Sequence, residues 1–306
     1  MEAIFMKTYK IYQVDSFTKK KFHGNPAGVV PNADGLTEEQ MQRIARELNN
    51  SETAFIFQSD SSKYDIEVRF FTPTVEVPIC GHATIAAHYV YAKENNFTNK
   101  RVLQKTKAGI LPVDVMKHDN DYSIIMTQGT PMVSEPFGEN VRMQIADALG
   151  VSERDICNEY PIAIASTGHS KVMVPIYSNG LLHRLTPKAD KLTEISRQIG
   201  CNGYYVFTLN PKEDILVHGR MFAPAIGISE DPVTGNANGP LGAYLVHFGI
   251  LQDNAASCFD FDIMQGEAIK RDGTMHVHVK KEQNEPKVVQ ITGNAVIAFS
   301  TEISMC

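Results

Sequence analysis

Glu52 stands where a carboxylate could move a proton. It follows a helix end and precedes the apolar run Ala54–Phe57. Apolar neighbours disfavour the charged form of a carboxyl group, which suits a residue that must both take and give a proton. From spacing alone, a solvated loop glutamate is the simpler reading. His82 follows Gly81 at the start of an apolar helical run, where it can hydrogen-bond a ligand, orient a second acid or simply cap the helix. Asp231 precedes Pro232, and a residue before proline is biased away from helix. That places Asp231 in a turn, either facing a ligand or purely structural. Gly81 and Gly235 could bring bare backbone close to a bound molecule.

Four of these residues lie in a passage that occurs twice. Phe71-Thr72-Pro73 leads to Cys80-Gly81-His82-Ala83 and an apolar run, and Phe222-Ala223-Pro224 leads to Thr234-Gly235-Asn236-Ala237 and another. The separation from Phe to Gly is 10 residues in the first copy and 13 in the second. A strand–turn–helix unit repeated about 150 residues apart implies two similar domains. If those domains face each other, two helix N-termini converge on one cleft. Their unpaired N–H groups and partial positive charge suit a small carboxylate.

The elements around the repeat are mostly strands. Lys10 to Phe17, Ala54 to Phe57, Tyr64 to Phe71, Val102 to Val115 and Tyr122 to Thr127 read as strands in the first half. Thr37-Glu38-Glu39-Gln40 is a capping box opening a helix with Met41, Ile44, Ala45 and Leu48 on one face. In the second half, Gly138 to Gly150 and Lys188 to Ile199 read as helices. Pro161 to Ala165, Lys171 to Pro175, Gly203 to Leu209 and Leu216 to Phe222 read as strands, closed by Met275 to Lys280, Val288 to Thr292 and Val296 to Ser300. Each half holds one long helix or two among many strands, which is an α+β class with mixed or antiparallel sheet. The boundary falls near Gln128-Gly129-Thr130-Pro131. The domains are read as 7–128, joined by the last strand at about 296–306, and 129–295.

With 306 residues, 21% charged and 43% hydrophobic, the chain can bury two cores of ordinary size. A net charge of −6 and no cluster of basic residues with interleaved aromatics argue against nucleic-acid binding. No apolar stretch reaches about 18 residues, so no membrane span is expected. Met1 to Lys10 lacks a signal-peptide pattern, and Met6 could serve as the start. Cys80, Cys157, Cys201, Cys258 and Cys306 are widely spaced and odd in number. That reads as thiols in a reduced, cytoplasmic compartment.

The passages Val14-Asp15-Ser16-Phe17, Gly24-Asn25-Pro26-Ala27-Gly28, Ser51-Glu52-Thr53-Ala54-Phe55, Cys80-Gly81-His82-Ala83-Thr84, Glu230-Asp231-Pro232-Val233-Thr234-Gly235 and Gln265-Gly266 together resemble the PhzF family of phenazine-biosynthesis-like isomerases. The resemblance spans nearly the whole chain. It implies the diaminopimelate epimerase-like fold: two similar domains of mixed, barrel-like sheet around a central helix, with a cleft between them. It also implies a biosynthetic, cofactor-independent isomerase acting on a small carboxylate-bearing substrate, and a homodimer. By the same resemblance Glu52, His82 and Asp231 are catalytic, and Asn25, Gly81, Gly235 and Asn236 bind substrate. Many relatives carry Ser where Asn236 stands. Asn still donates a hydrogen bond but is longer.

Two other readings stay open. One is a racemase, epimerase or dehydratase of an amino or hydroxy acid with Cys80 as a base, since a thiol at a helix N-terminus is acidified. The second copy carries Thr234 where a partner thiol would stand, and a threonine hydroxyl is a poor base. The other is a metabolite-binding relative without turnover. His276-x-His278 could hold a metal from one strand face, but no third ligand is evident and a solvated strand is simpler. No metal, nucleotide-binding or other cofactor motif is present.

Overall fold

The computed structural model describes residues 6–210, 213–251 and 256–305. The first five residues of the N-terminal reading, and Cys306, lie outside the described residues. The chain divides into two compact units, Met1–Met126 with Thr292–Cys306, and Thr127–Ile291.

The first unit contains β1 (Lys7–Ser16), β2 (Asn25–Val30), α1 (Glu38–Leu48), β3 (Thr53–Gln58), β4 (Ile66–Phe71), β5 (Glu76–Val77), α2 (Gly81–Asn95), β6 (Lys100–Thr106), β7 (Gly109–His118) and β8 (Asp121–Thr127). The Val102–Val115 segment is therefore two strands, turned at Lys107-Ala108, not one. β1 pairs antiparallel with β2, β2 parallel with β3, β3 antiparallel with β4, and β4 parallel with β6. β6, β7 and β8 continue antiparallel. The last strand of the chain, β17 (Glu285–Met305), pairs with β1 and with β8, closing a mixed eight-stranded barrel. It is one continuous strand of 21 residues, where the sequence pattern reads as two. Gly293 sits at the break in that pattern: a Cβ there would stand 2.7 Å from the Phe17 ring.

The α2 helix runs against β1, β2, β3 and β7 and is buried on every side from His82 to Ala92. A helix apolar all round belongs inside a core, and this one is the axis of the first unit. The α1 helix lies outside. Its Thr37 cap and Gln40 form the capping box read from sequence, and Met41, Ile44 and Ala45 pack on Val30, Phe55 and Phe71.

A titratable group sits deep within the α2 core. His88 is fully buried, with Nε2 2.9 Å from Gln104 Oε1. Burial holds its pKa down at about 4 against an ordinary 6.5. Unfolding the chain lets this imidazole take a proton at about pH 6.5. The stability it permits is therefore complete above that pH and drains away as pH falls toward 4. The loss is of the order of 3 kcal/mol. His88→Gln should flatten that part of the stability–pH curve in urea titrations run between pH 4 and 7.

The second unit contains β9 (Met132–Val133), α3 (Glu139–Leu149), β10 (Ala163–Ser166), β11 (Ser170–Pro175), α4 (Asn179–His183), α5 (Ala189–Ile199), β12 (Tyr204–Leu209), β13 (Ile215–Ala223), β14 (Ile228–Asp231), α6 (Gly235–His247), β15 (Cys258–Gln265) and β16 (Gly273–Glu282). β9, β10 and β11 pair antiparallel, β11 parallel with β12, and β12 antiparallel with β13. β13 pairs parallel with β15, which runs antiparallel to β16. The α6 helix is buried from Ala237 to Val246 and packs against β9, β10, β11 and β16. It is the counterpart of α2. The helices read at Gly138 to Gly150 and Lys188 to Ile199 are α3 and α5, which form a second apolar layer, and the short α4 is the helix the sequence pattern did not suggest. Ile145, Leu149, Leu192 and Ile195 there cover Val172, Val174, Tyr204 and Val206 of the sheet.

Both copies of the repeat fold alike. In the first, β5 turns back on β4 and α2 begins at Gly81. In the second, β14 turns back on β13 and α6 begins at Gly235. The longer second copy accommodates a 3-10 turn at Pro224–Ile226.

Candidate active site

The first unit brings Glu52, Cys80 and His82 together. Glu52 ends the loop before β3, and its carbonyl accepts a hydrogen bond from the Gly28 N–H at 3.3 Å. That approach requires glycine at 28, since a Cβ there would stand 2.7 Å from Thr53 Oγ1 and from Leu48 Cδ1. The Glu52 carboxylate lies 3.4 Å from His82 Nε2, with the side chains 19% and 9% exposed. Ser51 Oγ is 3.3 Å from the same nitrogen, and Cys80 Sγ is 3.4 Å from His82 Nδ1. Each ring nitrogen thus has a neighbour. The His82 carbonyl accepts from Ser16 Oγ at 2.8 Å, and Ser16 is paired across the sheet with the fully buried Asn25.

Gly81 is the first residue of α2. Cys80, at its N-cap, makes no side-chain cap to the helix. The first-turn N–H groups are not used inside the helix, and they carry its positive end.

The second unit fixes its own helix start with a polar hub that spacing did not reveal. Gln265, fully buried, donates to the Asp231 carbonyl at 2.8 Å and to Thr234 Oγ1 at 3.1 Å. Its Oε1 accepts from the Thr234 N–H at 3.1 Å and from Asn238 at 3.0 Å. The Thr234 hydroxyl donates to the Asp231 carboxylate, and the Tyr205 hydroxyl to Asn238. Thr234 therefore orients Asp231 in the position where a second thiol would otherwise stand. Gln128 ties this start to the turn after β10, donating to the Gly235 carbonyl at 2.9 Å and accepting from the Thr167 hydroxyl at 2.5 Å. Asn238 announces itself only as one amide in an apolar helix. Gln265 stands in a motif passage but nothing in the sequence indicates its four bonds.

Asn236 is the one non-helical residue inside α6, at φ −81°, ψ 15°. Pro240, four residues later, has no N–H to return to the Asn236 carbonyl, which frees that turn. The Asn236 Oδ1 is buried without a hydrogen-bond partner.

Glu230, beside Asp231, is clamped by Arg220. Nε to Oε1 is 2.9 Å and Nη2 to Oε2 is 2.7 Å. The side chains are 9% and 11% exposed, and Arg220 also donates to the Leu182 and Leu185 carbonyls. The clamp fixes β14 on β13 immediately before the Asp231 turn.

His276 and His278 face Asp262 and Asp260 across β15 and β16. The Nδ1 to carboxylate distances are 2.8 and 2.7 Å, so both imidazoles are held in cross-strand pairs at the surface. Among the described residues, no helix is long and apolar enough to cross a membrane.

The family model described as phenazine biosynthesis-like protein, PhzC-PhzF, matches residues 14–301. An uncharacterized isomerase of Clostridium acetobutylicum is 58% identical over 300 residues, covering 97% of this chain and 99% of the relative. The crystal structure of a PhzF-family phenazine biosynthesis protein from Bacillus anthracis superposes with a TM-score of 0.87 at 33% identity, over 97% of this chain and 99% of that one. A hydroxyproline epimerase from Agrobacterium vitis, 14% identical, shares the fold with a TM-score of 0.63 over 99% of this chain and 93% of its own.

Proposed function

Because the chain belongs to the phenazine biosynthesis-like PhzC-PhzF family, we propose that it is an isomerase that moves a proton between carbons of a small carboxylate-bearing metabolite, with Glu52 as the acid/base. The observation that carries this reading is the Glu52 carboxylate held 3.4 Å from His82 Nε2 at the start of the central helix. A carboxylate beside an imidazole can take a proton from carbon and return it, while the imidazole holds the substrate or shares the charge. The Glu52 side chain is 19% exposed, so the carboxyl is shielded yet can still exchange an abstracted proton with solvent. The relatives named as isomerases support the same class of reaction.

In this reading the helix starts at Gly81 and at Gly235 each offer backbone N–H groups suited to a carboxylate, as helix starts do for anions. Asp231, oriented by Thr234, assists binding and proton handling. Asn25 and Asn236 bind the substrate in this reading, Asn236 offering its buried Oδ1 to a donor such as an ammonium or hydroxyl group. The hydroxyproline epimerase of the same fold was solved with bound trans-4-hydroxy-L-proline, a carboxylate of the size this reading requires. A cytoplasmic homodimer is part of the proposal.

A thiol-based epimerase is the competing chemistry. Cys80 has His82 Nδ1 at 3.4 Å, but the corresponding position of the second unit holds Thr234, already engaged with Asp231. Cys80→Ala should retain proton exchange into substrate. A thiol base predicts that exchange disappears in the same variant. The function is tested by incubating the protein with small amino, hydroxy and unsaturated acids in D2O and following loss of carbon-bound hydrogen by proton NMR. A ligand that raises the melting temperature yet never exchanges would instead indicate a binding protein.

A further inference from the structure

The second unit holds a buried cation that the proposed chemistry does not use. Lys171 is 8% exposed. A lysine is almost never enclosed to that degree unless its charge is paired. Among the described residues, its ammonium donates only to the carbonyl of the adjacent Ser170, 3.2 Å from Nζ, and no carboxylate forms an ion pair with it. Burial holds the ammonium below the ordinary lysine range, against the opposing pull of the Cys201 thiol and the Asp231 carboxylate.

The sheet register places this side chain on the face that α6 covers. Alternation along β11 puts Lys171 on the same face as Met173. Met173 pairs with Tyr205, Tyr205 with Met221, and Met221 with Asp231. Three polar side chains of this unit each lie across a glycine. Tyr205 lies on Gly219 and Gln128 on Gly239. Lys171 lies on Gly203, where a Cβ would collide with its Cδ and stand 2.8 Å from its Cε. Tyr205 and Gln128 reach the first turn of α6, at Asn238 and at the Gly235 carbonyl. The Lys171 ammonium has no such partner. It stands against Ser170 in the exposed turn between β10 and β11, so a ligand entering from that end of the sheet can reach it.

We propose that Lys171 is a specificity-determining residue whose ammonium binds a second acidic group, so that the substrate is a small dicarboxylate. The start of α6 suits one carboxylate, and the buried ammonium on the same face calls for another, held by a charge-assisted hydrogen bond. A site built around a buried charge rejects an analogue that lacks the complementary group, because the charge is then left unpaired. The substrate class rests on the isomerase reading. The anion site does not.

The test is calorimetric titration of the full chain with succinate and glutarate, and with butyrate and valerate as monoacids of the same chain lengths. The dicarboxylates should bind at least about tenfold tighter. Lys171→Met keeps the aliphatic stem over Gly203 and removes the charge, and in this variant the preference should fall to near unity. Its melting temperature should not drop, since a buried charge without a counter-charge has been removed. Lys171→Gln gives the same binding comparison if the methionine variant does not fold. Equal binding of the two classes by the wild type, no binding of either dicarboxylate, or a preference that survives in the variants overturns the proposal. A lysine kept only for packing predicts the last of these, with a lowered melting temperature. Proton exchange in D2O with amino and hydroxy derivatives of the same acids separates the two readings. Exchange into a monocarboxylate with kcat/KM unchanged in Lys171→Met retains the isomerase and removes the anion site. A dicarboxylate preference that follows Lys171, with no exchange into any acid, retains the anion site and removes the isomerase.

Discussion

Glu52→Gln lowers turnover by about 100- to 10,000-fold, the usual worth of a positioned general acid or base. The amide keeps the size of the carboxylate and still reaches toward His82 Nε2, 3.4 Å away, so substrate binding should change far less than kcat. Steady-state kinetics on the substrate found by exchange screening separates the two. A fall in kcat with KM nearly unchanged marks an interaction used at the transition state, and a rise in KM alone marks a binding role. The fold should tolerate the change. Glu52 is partly exposed, and its backbone bond to Gly28 involves the carbonyl rather than the side chain.

Arg220→Ala carries the largest expected cost in stability. The guanidinium makes two bonds to Glu230 and two to main-chain carbonyls in a site nearly closed to water. Removing it strands the Glu230 charge, and breaking such a pair from one side costs about 3–5 kcal/mol. The double variant Arg220→Met with Glu230→Leu should recover much of that loss, because neither charge remains to be desolvated. Two units need not unfold together, so the loss should be read in denaturant titrations that follow the second unit. Because Glu230 precedes Asp231, activity should fall with stability in the single variant.

The sequence made the axis of each unit legible. The apolar runs after Gly81 and Gly235 could only be buried helices, and the capping box at Thr37 fixed the start of α1. The close approach of Glu52 to His82 was reached through family resemblance, because 3.4 Å between residues on separate elements leaves no periodic trace. The hub around Gln265 was hidden for the same reason. A buried amide takes its place from partners at the end of β14 and the start of α6, both distant from it in sequence. The continuous β17 was obscured by Gly293, which reads as a break but makes room for Phe17. The α3 and α5 helices of the second unit were visible as separate amphipathic stretches. What the pattern could not convey is that they form a layer of their own outside the sheet.

The central claim is that Glu52, and not Cys80, moves the proton. The most direct measurement is hydrogen–deuterium exchange at the reacting carbon of the substrate in D2O, compared among wild type, Glu52→Gln and Cys80→Ala by proton NMR. Exchange that persists in Cys80→Ala and disappears in Glu52→Gln is the predicted result. Exchange that survives in Glu52→Gln at the wild-type rate would contradict it.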